Sequence, residues 1–369
     1  MSRPVLASGD RLIVKVGTSS LVGASGSLDD ERLSALCDGI AGVRQRGVDV
    51  VLVSSGAIAA GLGPLSFSTR PTDIPSLQAV AAVGQGKLLS RYSRLFADHG
   101  MVVAQLLLTR YDFMQRQQYL NARNTLDRLL ALGAVPIVNE NDTVAVDEIR
   151  FGENDRLAAL VAHLAGAGLL LLLTDADGLH AADPRTDPDA PLIKEIKEIT
   201  PDLERAAGGR GSNLGTGGMA SKIAAAWVAS FSGVGVVVAR ASEDNVIERI
   251  AAGDELGSYF YPRHVRLSAR KLWIAFGQPP NGTVTVDDGA RRAVVEGKRS
   301  LLPVGVTGLT GKFAAGDTVD VAAPDGSVFA RGLVRFGAQE LEAARGRPSA
   351  EVAGREVIHR DQLVVLEQD

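Results

Sequence analysis

One cysteine, Cys37, is present in 369 residues, so no internal disulfide framework is available and a reducing, cytoplasmic setting is expected. In its helical segment that cysteine reads as a small buried hydrophobe. Membrane-length apolar runs are missing as well. The longest, such as Leu169–Leu173 and Val234–Ala239, are strand-sized. Met1 to Asp10 is short, mixed and polar, unlike a secretory leader. Neither sign of charge dominates: 39 Lys and Arg stand against 43 Asp and Glu. The net charge of −4 gives no electrostatic footing for nucleic acid or an anionic membrane, and neither is an expected partner. The five histidines show no metal-ligand spacing, and no Cys–His or Gly-x-Ser-x-Gly nucleophile pattern occurs. No protein metal site is expected. Repeats and low-complexity tracts are also lacking.

What is there is a chain 46 % hydrophobic and long enough for two domains. The strand-like "RLIVKV" leads to Leu33, Leu36, Ile40 and Val43 at helical spacing, then to the apolar run "VDVVLVSSG". Alternation continues through helical stretches near Leu77–Ala97 and Leu120–Leu132 and the strands "MVVAQLLLT" and "AVPIVNEND". It ends with "LLLLLTDADG", the helix "MASKIAAAWVASF", the strand "VGVVVA" and a helix near Asp244–Ala252. Such repetition predicts an α/β fold with a mainly parallel open sheet sandwiched by helices. Leu157, Leu160, Val161 and Leu164 line one helix face, and His163 lies off it, expected in solvent. After about Pro262 a connector ends in Pro279-Pro280-Asn281-Gly282, and short strands punctuated by glycine turns follow. The expected division is 1–265 for the α/β domain, 266–279 for a linker and 280–369 for a small β-rich domain.

Ligands of open parallel sheets bind beyond the carboxyl ends of the strands, and four of these ends carry unusual residues. Lys15 sits inside a buried strand that ends in glycine; an anion met at the strand's end would offset the cost of burying it, and snorkelling at an edge is the alternative. Ser54, Ser55 and Gly56 precede a helix, as caps or as donors to a carboxylate or phosphate. Asn139 to Asp142 end one strand, and Glu153, Asn154 and Asp155 begin the next helix. As a group they suit a zwitterion, aspartate taking an ammonium; a turn and a helix cap are the alternatives. Thr174, Asp175 and Asp177 end the "LLLLLTDADG" strand, as a turn or a nucleotide contact. "DADG" lacks the later positions of a calcium loop. Lys222 follows "GTGGMAS" in the first turns of a helix, where glycines, helix dipole and lysine together favour phosphate, a surface loop being the alternative. It is not the Walker sequence, because Ser221 precedes the lysine. Two lysines at separate glycine turns suit phosphoryl transfer, with Asp155 holding both without reacting.

The stretches "VKVGTSSLV", "VSSGAIAAGLG", "AAVGQGKL", "LLLTRYDF", "YLNARNTL", "VPIVNENDTVAVDEI", "FGENDRLAALVA", "LLLTDADGLHAADPR" and "LGTGGMASKIAAA" resemble the amino-acid kinase family. They run in order over nearly all of Leu12 to Ala226, and the part from about Pro280 looks like a PUA domain. The resemblance implies the amino-acid kinase fold and ATP-dependent phosphorylation of the γ-carboxylate of L-glutamate with Mg2+, the first step of proline biosynthesis. It further implies feedback inhibition by proline and a homo-oligomer, dimer or tetramer. By matching position, Lys15 contacts ATP phosphate, and Ser55, Asp142 and Asn154 bind glutamate. Thr174 and Asp175 touch the nucleotide, while Thr216, Gly217, Gly218, Met219, Ala220, Ser221 and Lys222 form its phosphate-side loop. Lys15, Asp155 and Lys222 make the catalytic set, Asp155 as organiser of the lysines. Glu153 departs from the family's common aspartate with its charge kept.

Three alternatives stand beside this reading. A kinase for aspartate or N-acetylglutamate would share the fold, although an acylated amine leaves Asp142 no ammonium to pair with. A nucleotide-sensing regulator would need the lysines without the substrate site. RNA binding through the C-terminal domain meets an acidic balance there, with 11 Lys and Arg against 13 Asp and Glu over 280–369.

Overall fold

The computed structural model describes all residues except 1–2, 24–25, 145–152, 201–202, 204–217, 264–265, 277–279, 353 and 367–369. The chain forms two units, Met1–Arg266 and Leu267–Asp369.

The first unit is built on strands β1 (Arg11–Val16), β2 (Asp49–Ser54), β3 (Val103–Leu108), β4 (Val135–Glu140), β5 (Leu169–Thr174), β6 (Glu195–Ile196), β7 (Gly235–Arg240) and β8 (Ser258–Phe260). They lie in the order β3-β4-β2-β1-β5-β7-β8-β6. β1 to β5 and β7 run parallel, β8 pairs antiparallel with β7, and β6 pairs parallel with β8. The mainly parallel open sheet is thus present, with an antiparallel turn-back at one edge. Burial on both faces explains why β5 opens with five leucines in a row: every residue of Leu169–Thr174 is buried.

Helices α1 (Thr18–Leu21), α2 (Asp30–Gln45), α3 (Ala57–Leu62), α4 (Ile74–Ala97), α5 (Arg110–Met114), α6 (Arg116–Ala131), α7 (Glu153–Ala165), α8 (Met219–Phe231) and α9 (Val246–Ala251) complete the unit. Local chemistry starts several of them. Asp29 Oδ1 accepts from the N–H groups of Glu31 and Arg32 at 3.0 and 3.2 Å, and Asp73 Oδ1 from that of Ser76 at 2.9 Å. Leu33, Ile40 and Val43 of α2 and Leu88, Tyr92 and Phe96 of α4 pack on one sheet face, against Leu12, Val14 and Val16 of β1. α7 and α8 pack side by side, α7 also touching β1. Alternation along β1 turns Lys15 away from the α2–α4 core and toward these two helices. α3 lies against α4 so closely that a methyl group on Gly84 would stand 1.7 Å from the Ala57 carbonyl oxygen. Glycine is required there by contact with backbone. Among the described residues no helix is long and apolar enough to cross a membrane.

The second unit is a five-stranded sheet in the order β10-β9-β11-β12-β13, with β9 (Gly282–Val286), β10 (Val306–Gly311), β11 (Thr318–Ala322), β12 (Val328–Leu333) and β13 (Leu363–Val365). Its own core contains Val284, Val319, Val321, Phe329, Phe336 and Leu341. The stretch 266–279 expected as a connector holds α10 (Ala269–Phe276), with Leu272, Ile274 and Ala275 buried, in contact with β12 and β13. Arg331 Nη1 donates to the Ala275 carbonyl at 2.6 Å and Arg331 Nε to Asp320 Oδ1 at 2.7 Å. Helices α11 (Asp288–Val295) and α12 (Ala338–Ala344) complete this unit.

Candidate active site

Register places Lys15 between Val53 of β2 and Leu172 of β5, near the carboxyl ends of three central strands. Apolar neighbours on both sides give its ammonium nothing in the plane of the sheet. Its partner comes from above. Lys15 Nζ lies 2.5 Å from Asp155 Oδ1, in the first turn of α7. Lys222 Nζ, in the first turns of α8, lies 3.2 Å from Asp155 Oδ2. Ser221 Oγ donates to the same Oδ2 at 2.6 Å. The three charged residues are almost wholly buried, at 5 %, 5 % and 0 % exposure for Lys15, Lys222 and Asp155.

Burial lowers the Lys15 ammonium below the ordinary lysine range, Asp155 opposes that shift, and Lys222 adds to it. For Asp155, burial pulls upward but the charges of Lys15 and Lys222 outweigh it, so the carboxyl is held below its ordinary range. Two ammonium groups therefore share one firmly ionised carboxylate. With Lys15 ion-paired at one oxygen and Lys222 and Ser221 donating to the other, Asp155 is suited to holding the lysines in place rather than to receiving a proton.

One residue earlier on α7, Asn154 supplies a different chemistry. Its Nδ2 donates to Ser55 Oγ at 2.9 Å, to Asn139 Oδ1 at 2.9 Å and to the Ser54 carbonyl at 3.2 Å. The amide thereby ties the ends of β2 and β4 together beside the ion cluster. Gly56, at φ 98°, occupies the left-handed region that lets the chain turn from β2 into α3. At the end of β5, buried Thr174 donates from Oγ1 to Asp175 Oδ1 at 2.9 Å. That bond, with a smaller contribution from the charge of Lys222, lowers the Asp175 carboxyl.

The structure thus brings Lys15, Asp155, Ser221 and Lys222 into one cluster and Ser55, Asn139 and Asn154 into another. Asp142 lies in the turn after β4, half-buried, and acts electrostatically on Arg70. Gly218 caps α8, and Met219 and Ala220 form its first turn. Thr216 and Gly217 lie outside the described residues, and the side chain of Glu153 is likewise not described. Asp177 takes up another role: His180 Nε2 is 2.9 Å from Asp177 Oδ1 while His180 Nδ1 is 2.7 Å from the Ala190 carbonyl, bracing the chain after β5.

Two features escaped sequence reasoning. Arg70 sits in the turn-rich stretch "STRPTD", where a surface loop is the natural reading, yet its guanidinium is half-buried near Asp142. His163 is half-buried rather than solvated. Its ring lies 6.3 Å from that of Tyr119, and burial, with the charges of Arg266 and Arg123, lowers its pKa to about 4.

A parallel α/β sheet carrying two buried lysines on a shared carboxylate has the architecture of a kinase that acts on small molecules. Residues 10–240 match the amino acid kinase family, and the chain belongs to that family. Residues 282–354 match the PUA domain, the small β-rich domain of the second unit. The chain is 47 % identical over 373 residues to a glutamate 5-kinase of Trichlorobacter lovleyi, covering 99 % of each. It is 48 % identical over 367 residues to a glutamate 5-kinase of Mycobacterium tuberculosis, covering 99 % of this chain and 96 % of the relative. A UMP kinase structure from Bacillus anthracis aligns with a TM-score of 0.47 and 16 % identity, over 68 % of this chain and 96 % of that one.

Proposed function

We propose that this protein transfers the γ-phosphoryl group of ATP to the γ-carboxylate of L-glutamate, giving γ-glutamyl phosphate and ADP as the first step of proline biosynthesis. The observation that carries the reading is the convergence of Lys15 and Lys222 on Asp155 beside the Ser55–Asn154 cluster. A carboxylate oxygen of glutamate forms the new bond to phosphorus as the bond to the ADP oxygen breaks. That nucleophile is ionised at neutral pH, so no general base is needed, and catalysis reduces to alignment and charge. Lys15 and Lys222 stabilise the negative charge on the moving phosphoryl group, and Asp155 sets their positions. Ser55 and Asn154 bind the amino acid through hydroxyl and amide, Asp142 takes its ammonium, and Thr174, Asp175 and residues 216–222 hold the nucleotide.

Magnesium accompanies ATP in this reading and neutralises phosphate charge. Among the described residues no group of three or more His, Cys, Asp or Glu could hold a metal, and the Asp155 carboxylate is already engaged by both lysines and Ser221. The ion would be carried by phosphate oxygens and water. Proline as an inhibitor, a homo-oligomer and a cytoplasmic location belong to the same reading.

The test is ADP release with ATP, magnesium and a panel of glutamate, aspartate and N-acetylglutamate, with hydroxylamine trapping the acyl phosphate. Glutamate hydroxamate is the expected product. Turnover of N-acetylglutamate in preference to glutamate would overturn the assignment of Asp142 and the substrate together.

A further inference from the structure

On the sheet face opposite Lys15, the end of β2 is held by a second hydrogen-bonded chain. Tyr92 of α4 is wholly buried, and its phenol oxygen lies 2.8 Å from Oγ of Ser54, also wholly buried. Ser54 Oγ in turn lies 3.0 Å from the Ser55 carbonyl oxygen. A serine hydroxyl has one proton, and a carbonyl only accepts. The Ser54 proton is therefore given to the Ser55 carbonyl, and the Tyr92 phenol must donate to Ser54. Burial raises the phenol above its ordinary range, which keeps that proton in place.

A hydroxyl pair is an unusual choice for this position. The rest of β2 is Asp-Val-Val-Leu-Val, and a phenylalanine opposite an alanine would fill similar space without burying polar atoms. A buried neutral hydrogen bond adds little net stability, so what the pair chiefly supplies is direction. The direction reaches the turn. In a trans peptide the carbonyl and the next N–H lie in one plane, so holding the Ser55 carbonyl sets the whole Ser55–Gly56 unit. Asn154 holds the same turn from the other side, through the Ser54 carbonyl and Ser55 Oγ.

Taking Ser55 as a substrate ligand, as proposed above, we propose that Tyr92 is a positioning residue for the amino-acid site. Acting through Ser54, it fixes the backbone from which the Ser55 hydroxyl projects toward the substrate. It touches no substrate itself.

The experiment is steady-state kinetics on the full-length chain with Tyr92→Phe, Ser54→Ala, their combination and Ser55→Ala. Tyr92→Phe keeps the ring and removes only the donor. It is expected to raise KM for glutamate about five- to tenfold, leave KM for ATP within about twofold, and keep Tm near the parent value. Ser54→Ala should raise KM for glutamate likewise, but it leaves the buried Tyr92 hydroxyl without an acceptor and should lower Tm, which adding Tyr92→Phe restores. In KM the double variant should be no worse than either, because both break one chain. Equal rises in both KM values, or a lower Tm with unchanged KM for glutamate, would reduce Tyr92 to a packing residue and overturn the proposal. Ser55→Ala separates the two levels. If it raises KM for glutamate while Tyr92→Phe does not, only the positioning role fails; if it leaves that KM unchanged, the ligand reading fails and the positioning role with it.

Discussion

A lysine inside a buried strand must lose its proton, reach water or meet an anion, and Lys15 meets Asp155. Lys222 approaches the same carboxylate from another helix, which makes the two lysines interdependent. If both act on the phosphoryl group, Lys15→Ala and Lys222→Ala should each lower kcat by about two or more orders of magnitude, measured as ADP release at saturating ATP and glutamate. A near-normal kcat for Lys222→Ala would remove it from the chemistry. Asp142 belongs to binding instead. Losing a desolvated charge pair costs roughly 2–5 kcal/mol, so Asp142→Ala should raise KM for glutamate more than tenfold and that for ATP far less. Arg70 feels the charge of Asp142, so a half-buried guanidinium lies within electrostatic reach of that carboxylate.

α7 carries Asn154 and Asp155 at its start and His163 near its end, so the stability of this helix and the order of the site are linked. The His163 ring faces Tyr119, Arg123 and Arg266, and its Nδ1 is buried with no hydrogen-bond partner among the described residues. Its pKa of about 4 in the fold lies below the 6.5 of an exposed histidine. The unfolded chain therefore takes up the proton first as pH falls. The stability contributed by keeping this ring neutral is complete above pH 6.5 and is lost as pH falls from there toward about 4, by up to about 1.4 kcal/mol per unit. His163→Leu should flatten that part of the curve, read as the urea midpoint at a series of pH values. An unchanged slope would assign the acid sensitivity to other groups.

The chain's two units each have a core of their own, and every candidate catalytic group lies in the first. A chain ending at Arg266 should therefore fold and still form γ-glutamyl phosphate with kcat within about tenfold of the full-length value. Where the cut falls matters. A chain ending near Gly277 would retain α10 without the β12–β13 surface that buries Leu272 and Ile274, leaving an apolar helix face exposed. That version should aggregate, whereas the shorter one should not, as size-exclusion chromatography would show. Absence of turnover in a folded 1–266 chain would mean that the second unit serves the chemistry. Tight, salt-dependent RNA binding by the isolated second unit would favour a nucleic-acid role despite its acidic balance.

Much of this protein is written in local pattern. Unbroken apolar runs such as Leu169–Leu173 read as strands buried on both faces, and helical spacing from Leu33 to Val43 marks α2, because burial imposes those periods on neighbouring residues. The polar residues at strand ends, and the two lysines after or before glycine turns, stand out for the same reason: they interrupt the pattern where the sheet stops. The antiparallel β8 and the docking of α10 left no such trace, since a three-residue strand and an eight-residue helix carry too few periods to be read. Nor could position in the chain reveal that His163 is half-buried or that the Tyr92 phenol meets Ser54. Lys15, Asp155 and Lys222 each announced a charge or a cap, but their meeting depends on β1, α7 and α8 packing together. Period and composition are properties of a segment. Burial and partnership are supplied by residues far away in the chain, and only the packed fold decides which ones arrive.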